Sequence, residues 1–141
     1  MRDVVVDSSV VAKWILPEAD SPQGHRLMSE TALRGGRLIV LDLVFPEVAN
    51  AIWKRHRQNL ATLVKARQFV GELVRIPVRV EPAIRVLSAA VEIAVRYDRS
   101  VYDALFVALA VELGLTGITA DEPLHRTTHV DFPGVTLLRD W

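Results

Sequence analysis

The sequence predicts an α/β fold: a mostly parallel central sheet of four to five strands, flanked by helices in three layers. Three observations carry this. Short apolar runs at Val4-Val5-Val6, at Arg37 to Leu41 and at Gly117-Ile118-Thr119 alternate with longer segments of helical period. The first two runs have no polar alternation, as suits strands covered on both faces. From Val101 to Leu113 the only charged side chains are Asp103 and Glu112, so the helix there has almost no face for water and belongs inside.

In chain order, Val4 to Val6 ends at Asp7, and Ser8-Ser9 offer caps for a helix from Val10 to Leu16 stopped by Pro17. Ser21-Pro22 opens a second helix that runs to Leu33 and ends at Gly35-Gly36. Arg37 to Leu41 is the second strand, and Phe45-Pro46-Glu47 opens a helix through Gln58 whose buried positions are Val48, Ala51 and Ile52. A fourth helix is expected from Thr62 to Val74, a weak third strand from Pro77 to Val80, and a fifth helix from Pro82 to Arg96. Ser100, three residues before Asp103, starts the internal helix and Gly114 ends it. Pro123 opens a short helix after Asp121, and Gly134 to Leu138 is expected as an edge strand.

The chain has 141 residues, and no repeat, linker or low-complexity tract divides it, so one domain over residues 1–141 is expected. Half of the residues are apolar, yet no uncharged apolar run reaches the length of a membrane span. The first residues lack the basic start and apolar stretch of a signal peptide, so a cytoplasmic protein with no membrane partner is expected. The absence of cysteine excludes disulfides and thiolate metal sites. A net charge of zero excludes a surface coated in positive charge, though not a local basic groove.

In an open parallel sheet, sites form outside the carboxyl ends of the strands. Asp7 and Asp121 each follow a strand, while Glu47 and Asp103 each stand in the first turn of a helix, so all four face one edge of the sheet. Carboxylates that close repel one another unless a cation lies between them. Oxygen ligation without histidine or cysteine favours Mg²⁺, with Mn²⁺ able to substitute. The chemistry this implies is metal-assisted hydrolysis of a phosphodiester.

Four segments in series, VVVDSSV, FPEVANAIW, SVYDALFVALA and ITADEPL, resemble the motifs of PIN-domain ribonucleases, in particular the VapC-like toxins of type II toxin–antitoxin pairs. The resemblance covers essentially the whole chain and implies a PIN-like fold. It implies that Asp7 and Asp103 match the principal Mg²⁺-binding acids and that Glu47 and Asp121 complete the catalytic pocket. Asn50 falls on the amide of an E-x-x-N helix and Thr119 on a hydroxyl that precedes the last acid, with Ser8 beside Asp7 a third supporting residue. Endoribonuclease activity on RNA, inhibition by a cognate antitoxin protein and homodimerisation are further implications of the resemblance.

Each acid has an ordinary structural explanation as a cap or first-turn residue, worth about 0.3–1 kcal/mol to a helix through its dipole. Those explanations would have to hold for four acids at once on one sheet edge. Lys54-Arg55-His56-Arg57, Lys65 and Arg67 are candidates for RNA phosphates or for a solvated helix face. Trp14 and Trp53 could stack a base, but apolar helices favour packing roles, and the four histidines lack a metal-binding pattern. A haloacid-dehalogenase-type phosphotransferase wants Asp where Ser9 stands, and a receiver domain wants a late Lys, whereas the last is Lys65. The remaining rival is a module of the same fold that binds RNA or a partner without turnover.

Overall fold

A computed structural model describes residues 2–141. Five strands form one sheet: β1 (Val4–Val6), β2 (Leu38–Leu41), β3 (Arg79–Glu81), β4 (Thr116–Thr119) and β5 (Val135–Leu137). All pairings are parallel and the order is β3-β2-β1-β4-β5. The chain builds outward from β1 to β3, then crosses back to lay β4 on the other side of β1. The crevice at that reversal, beyond the carboxyl ends of β1 and β4, is where an open sheet leaves room for a ligand.

Among the described residues seven α-helices cover the sheet: α1 (Ser8–Ile15), α2 (Ser21–Leu33), α3 (Val44–Arg57), α4 (Leu63–Leu73), α5 (Leu87–Tyr97), α6 (Val101–Leu113) and α7 (Glu122–Thr128). Successive strand residues point to opposite faces, and the core divides accordingly. Val6, Leu38, Val40 and Ile118 pack with α1 to α4, while Val5, Ile39, Leu41 and Val135 pack with α5 and α6. This is the three-layer α/β arrangement expected, with five strands.

The internal helix is as the sequence requires. Ala104 to Ala110 are seven consecutive buried residues, Ser100 Oγ accepts from Asp103 N at 3.2 Å, and Gly114 ends the helix at φ 63. Gly117 in β4 lets α6 approach closely, since a Cβ there would lie 2.8 Å from Phe106 Cζ.

Three boundaries and one burial pattern differ from expectation. The first helix begins at Ser8, because Asp7, with extended backbone, is itself the cap and accepts from Ser8 N at 2.9 Å. In α3 the buried residues are Val44, Val48 and Ile52, and Ala51 is only partly buried. The third strand starts at Arg79, since Pro77 has no N–H to give a ladder. The helix expected from Pro82 is split into a 3-10 turn, Ala83–Val86, and α5, with buried Val86 at φ −121 interrupting the helical path. Among the described residues no helix is long and apolar enough to cross a membrane.

Candidate active site

The four acids line one open cavity of about 380 Å³, together with Ser8, Ser9, Asn50, Lys54 and Tyr102. Each arrives on its own element. Asp7 leaves β1 and caps α1, Glu47 is in the first turn of α3, Asp103 is in the first turn of α6, and Asp121 caps α7 after β4. The sheet edge thus gathers residues 7, 47, 103 and 121, as their placement at element ends predicts.

Asp7 is the most tightly held. Its Oδ1 accepts from Ser8 N, while its Oδ2 accepts from Ser9 Oγ at 2.8 Å and from Thr119 Oγ1 at 2.8 Å. Thr119 is fully buried, and its Oγ1 also accepts from Asp121 N at 3.0 Å. Ser9 Oγ accepts in turn from Ala120 N at 2.9 Å. Asp7 N donates to Ile118 O at 3.0 Å, so the ends of β1 and β4 are joined by backbone and side chains alike. Burial pushes the Asp7 carboxyl above its ordinary range; the bonds from Ser9, Thr119 and Ser8 pull it back, and the negative charge of Asp121 adds to the rise.

Glu47 feels the same field. Its carboxyl is pushed up to about 7, first by desolvation and then by the negative charges of Asp7 and Asp103. Although its residue as a whole is exposed, the carboxyl faces the acidic cavity. Asp121 Oδ1 accepts from Leu124 N at 3.0 Å, the cap expected of it.

The other two acids share a basic partner. Nη2 of Arg99 donates to Asp103 Oδ2 at 2.9 Å and lies 3.7 Å from Asp121 Oδ2. The Asp103 carboxylate is therefore turned to an arginine, not simply returned to Ser100 as a cap would be. Among the described residues no group of three or more Asp, Glu or His side chains stands close enough to hold a metal ion as arranged. The acids share a cavity, and two of them are paired with Arg99.

Of the supporting residues, Thr119 braces Asp7, Ser8 donates its N–H to the Asp7 cap and lines the cavity, and Asn50 lies on the cavity wall one turn beyond Glu47. The basic run divides. Lys54 reaches the cavity, Arg55 pairs with Glu18 at 3.5 Å, and Arg57 lies over the Trp53 ring at 5.3 Å. Lys65 covers Phe69. Trp14 is a core residue, its Nε1 donating to Gly24 O at 2.9 Å, whereas Trp53 is 48 % exposed. Sequence reasoning did not single out Ser9, Tyr102 or Arg99. Ser9 was visible as a cap but not as a brace on Asp7, and a lone arginine before a helix carries no signal of its partners.

Comparison with known proteins agrees with this architecture. Residues 4–130 match the PIN domain family. Over 123 residues, covering 86% of this chain and 91% of the other, the sequence is 35% identical to Ribonuclease VapC3 of Pyrobaculum aerophilum. Among solved structures, PAE2754 from Pyrobaculum aerophilum superposes with a TM-score of 0.71 at 22% identity, covering 98% of this chain and 85% of that one. VapC20 of Mycobacterium tuberculosis, described as a sarcin-ricin loop cleaving toxin, gives 0.68 at 20% identity, covering 94% and 98%. VapBC2 from Rickettsia felis, bound to a DNA fragment from its promoter, gives 0.64 at 11% identity, covering 96% of each chain.

Proposed function

Because this chain belongs to the PIN-domain family, in its group of VapC-like ribonucleases, we propose that it is a divalent-metal-dependent endoribonuclease, the toxin of a toxin–antitoxin pair. The single observation that carries the catalytic part is the meeting of Asp7, Glu47, Asp103 and Asp121 in one cavity at the switch point of the sheet. The donor set there suits a hard cation: carboxylates, hydroxyls and an amide, with no sulfur or imidazole. Asp7 and Glu47 have raised carboxyl pKa values and no ion-pair partner among the described residues, a state that a cation would relieve.

Asp7 and Asp103 are the residues that would hold the ion, with Glu47 and Asp121 completing the pocket. Mg²⁺, or Mn²⁺ in its place, supplies when bound a Lewis acid for a phosphodiester oxygen and a water of lowered pKa. The protein supplies the rest. Ser8 N, Ser9 and Thr119 hold Asp7 in one orientation, so its lone pairs are aimed before any ligand arrives. Glu47, poised near neutrality, can take a proton from an attacking water at its carboxylate, and Asn50 can orient that water. Lys54 at the rim meets the phosphate charge, and Tyr102, 64 % exposed, offers a ring to a base.

The partners of this reading are an RNA, a cognate antitoxin and a second copy of the chain, in the cytoplasm. An apolar groove of about 330 Å³ between α3 and α4, lined by Trp53, Leu63 and Val70, supports a protein partner. The one observation favouring a binder without turnover is Arg99, which already neutralises part of the acidic wall. Incubation of the purified protein with total RNA separates the two. Cleavage is expected with Mg²⁺ or Mn²⁺ and none with excess chelator; cleavage indifferent to chelator refutes the metal-dependent reading, and binding without cleavage in either metal favours the rival.

A further inference from the structure

The backbone of Arg99 is fixed on both sides. Asp98, left-handed at φ 51, and Arg99 both give their N–H to Ala94 O at the end of α5, and Ser100 caps α6. The Arg99 side chain is 22 % exposed and is not among the residues that line the cavity. It touches acids of the site all the same. Nη2 donates to Asp103 Oδ2 at 2.9 Å and lies 3.7 Å from Asp121 Oδ2, while Nε is buried with no acceptor among the described residues. A buried donor left unmet is unfavourable, so the guanidinium holds this position against a penalty that an exposed ion pair would not carry.

These contacts close a chain. Asp7 Oδ2 accepts from Thr119 Oγ1, Thr119 Oγ1 accepts from Asp121 N, and Asp121 Oδ2 meets the Arg99 nitrogen that is bonded to Asp103. The two acids assigned to the ion, Asp7 and Asp103, are thus tied to one another through Thr119, Asp121 and Arg99. Without Arg99 the chain stops at Asp121, and Asp103 keeps only its place in the first turn of α6. Its carboxylate would then be free to turn and would be repelled by Asp121.

We propose that Arg99 is a positioning residue that fixes the spacing of Asp7 and Asp103, and that this fixed spacing makes the site select a small divalent ion over Ca²⁺. The inference rests on the metal-dependent reading above. Mg²⁺ demands near-octahedral ligation at about 2.0–2.1 Å, whereas Ca²⁺ takes about six to eight oxygens at about 2.3–2.6 Å in flexible geometry, so a stiff pair of ligands disfavours the larger ion. The charge of Arg99 repels any cation, but it acts alike on two ions of one valence and cancels from the ratio of their affinities.

The test measures that ratio on the full-length protein, without RNA. Mn²⁺ is titrated in while free Mn²⁺ is followed by electron paramagnetic resonance, and Ca²⁺ is measured by its displacement of bound Mn²⁺. In the parent, Ca²⁺ is expected to bind at least about tenfold more weakly than Mn²⁺, and in Arg99→Met that preference should shrink about tenfold. Arg99→Lys, whose ammonium can serve the single nitrogen contact, should keep the parent preference within about threefold. Mn²⁺ and Ca²⁺ affinities that move together in a folded Arg99→Met protein make Arg99 a charge alone and overturn the proposal. A parent with no preference for Mn²⁺ overturns it too. Should Arg99→Met fail to fold, Arg99→Gln carries the same expectation. Mn²⁺ uptake with an unchanged ratio ends only the role of Arg99, whereas no uptake by the parent ends the metal-dependent reading, and this inference with it.

Discussion

Replacing Asp7 separates its catalytic from its structural work, because asparagine and alanine remove different things. The Asp7→Asn variant keeps an oxygen for Ser8 N and remains a good helix cap, and its amide can donate to Ser9 or Thr119, whose hydroxyls lie 3.3 Å apart and can re-orient. It also removes a carboxylate that burial and Asp121 disfavour. Its unfolding free energy should stay within about 1 kcal/mol of the parent. The Asp7→Ala variant loses the cap, about 1 kcal/mol, and leaves the half-buried Ser9 and buried Thr119 hydroxyls short of a partner, about 1–3 kcal/mol more. For a chain of this length that is a fall in Tm of roughly 6–12 °C. Both variants should lose RNA cleavage in Mg²⁺ by at least about 100-fold, more than the loss of an outer-shell partner alone. Thermal unfolding by circular dichroism and single-turnover cleavage measure the two halves. Parent-like cleavage by Asp7→Asn, or a loss of Tm as large as that of Asp7→Ala, refutes the reasoning.

Thr119→Val removes the buried hydroxyl that serves both Asp7 and Asp121 N, so urea unfolding should show a loss of about 1–3 kcal/mol and cleavage should fall about tenfold or more; unchanged values in both would show that the hydroxyl braces nothing. The Glu47 carboxyl, raised to about 7 from 4.5, stabilises the metal-free fold fully below about 4.5 and ceases to as pH rises through about 7. Metal-free Tm should therefore fall between pH 5 and 8, modestly because Glu47 is solvent-screened, and Mn²⁺ affinity should climb over the same window as the competing proton leaves; Glu47→Gln should flatten both curves. Gly117→Ala drives a methyl into Phe106 and Ala110, which should destabilise by about 1–3 kcal/mol, with partial rescue by Phe106→Leu in equilibrium unfolding.

Much of this architecture is legible in the chain because its signals are local. Val4 to Val6 and the run to Leu41 announce strands without a wet face, Ser100 and Gly114 bracket α6, and element ends place all four acids on one edge. What escapes is what depends on neighbours remote in sequence. The start of β3 is set by pairing with Ile39, and the split before α5 by the burial of Val86. Ser9 reads as a cap until Ala120, 111 residues away, is brought to its oxygen. Arg99 is invisible for a related reason: it is close in sequence to Asp103, but only the folded sheet end adds Asp121.

The innermost strand is made before its neighbours and finished after them. β1 precedes β4 by more than a hundred residues, so one of its flanks stays open until β4 has been made, and the brace on Asp7 comes from that same strand. A growing chain therefore has no completed pocket until β4 has left the ribosome. A ribosome is the last machine that should meet a working nuclease on its own nascent product, and this strand order defers that moment.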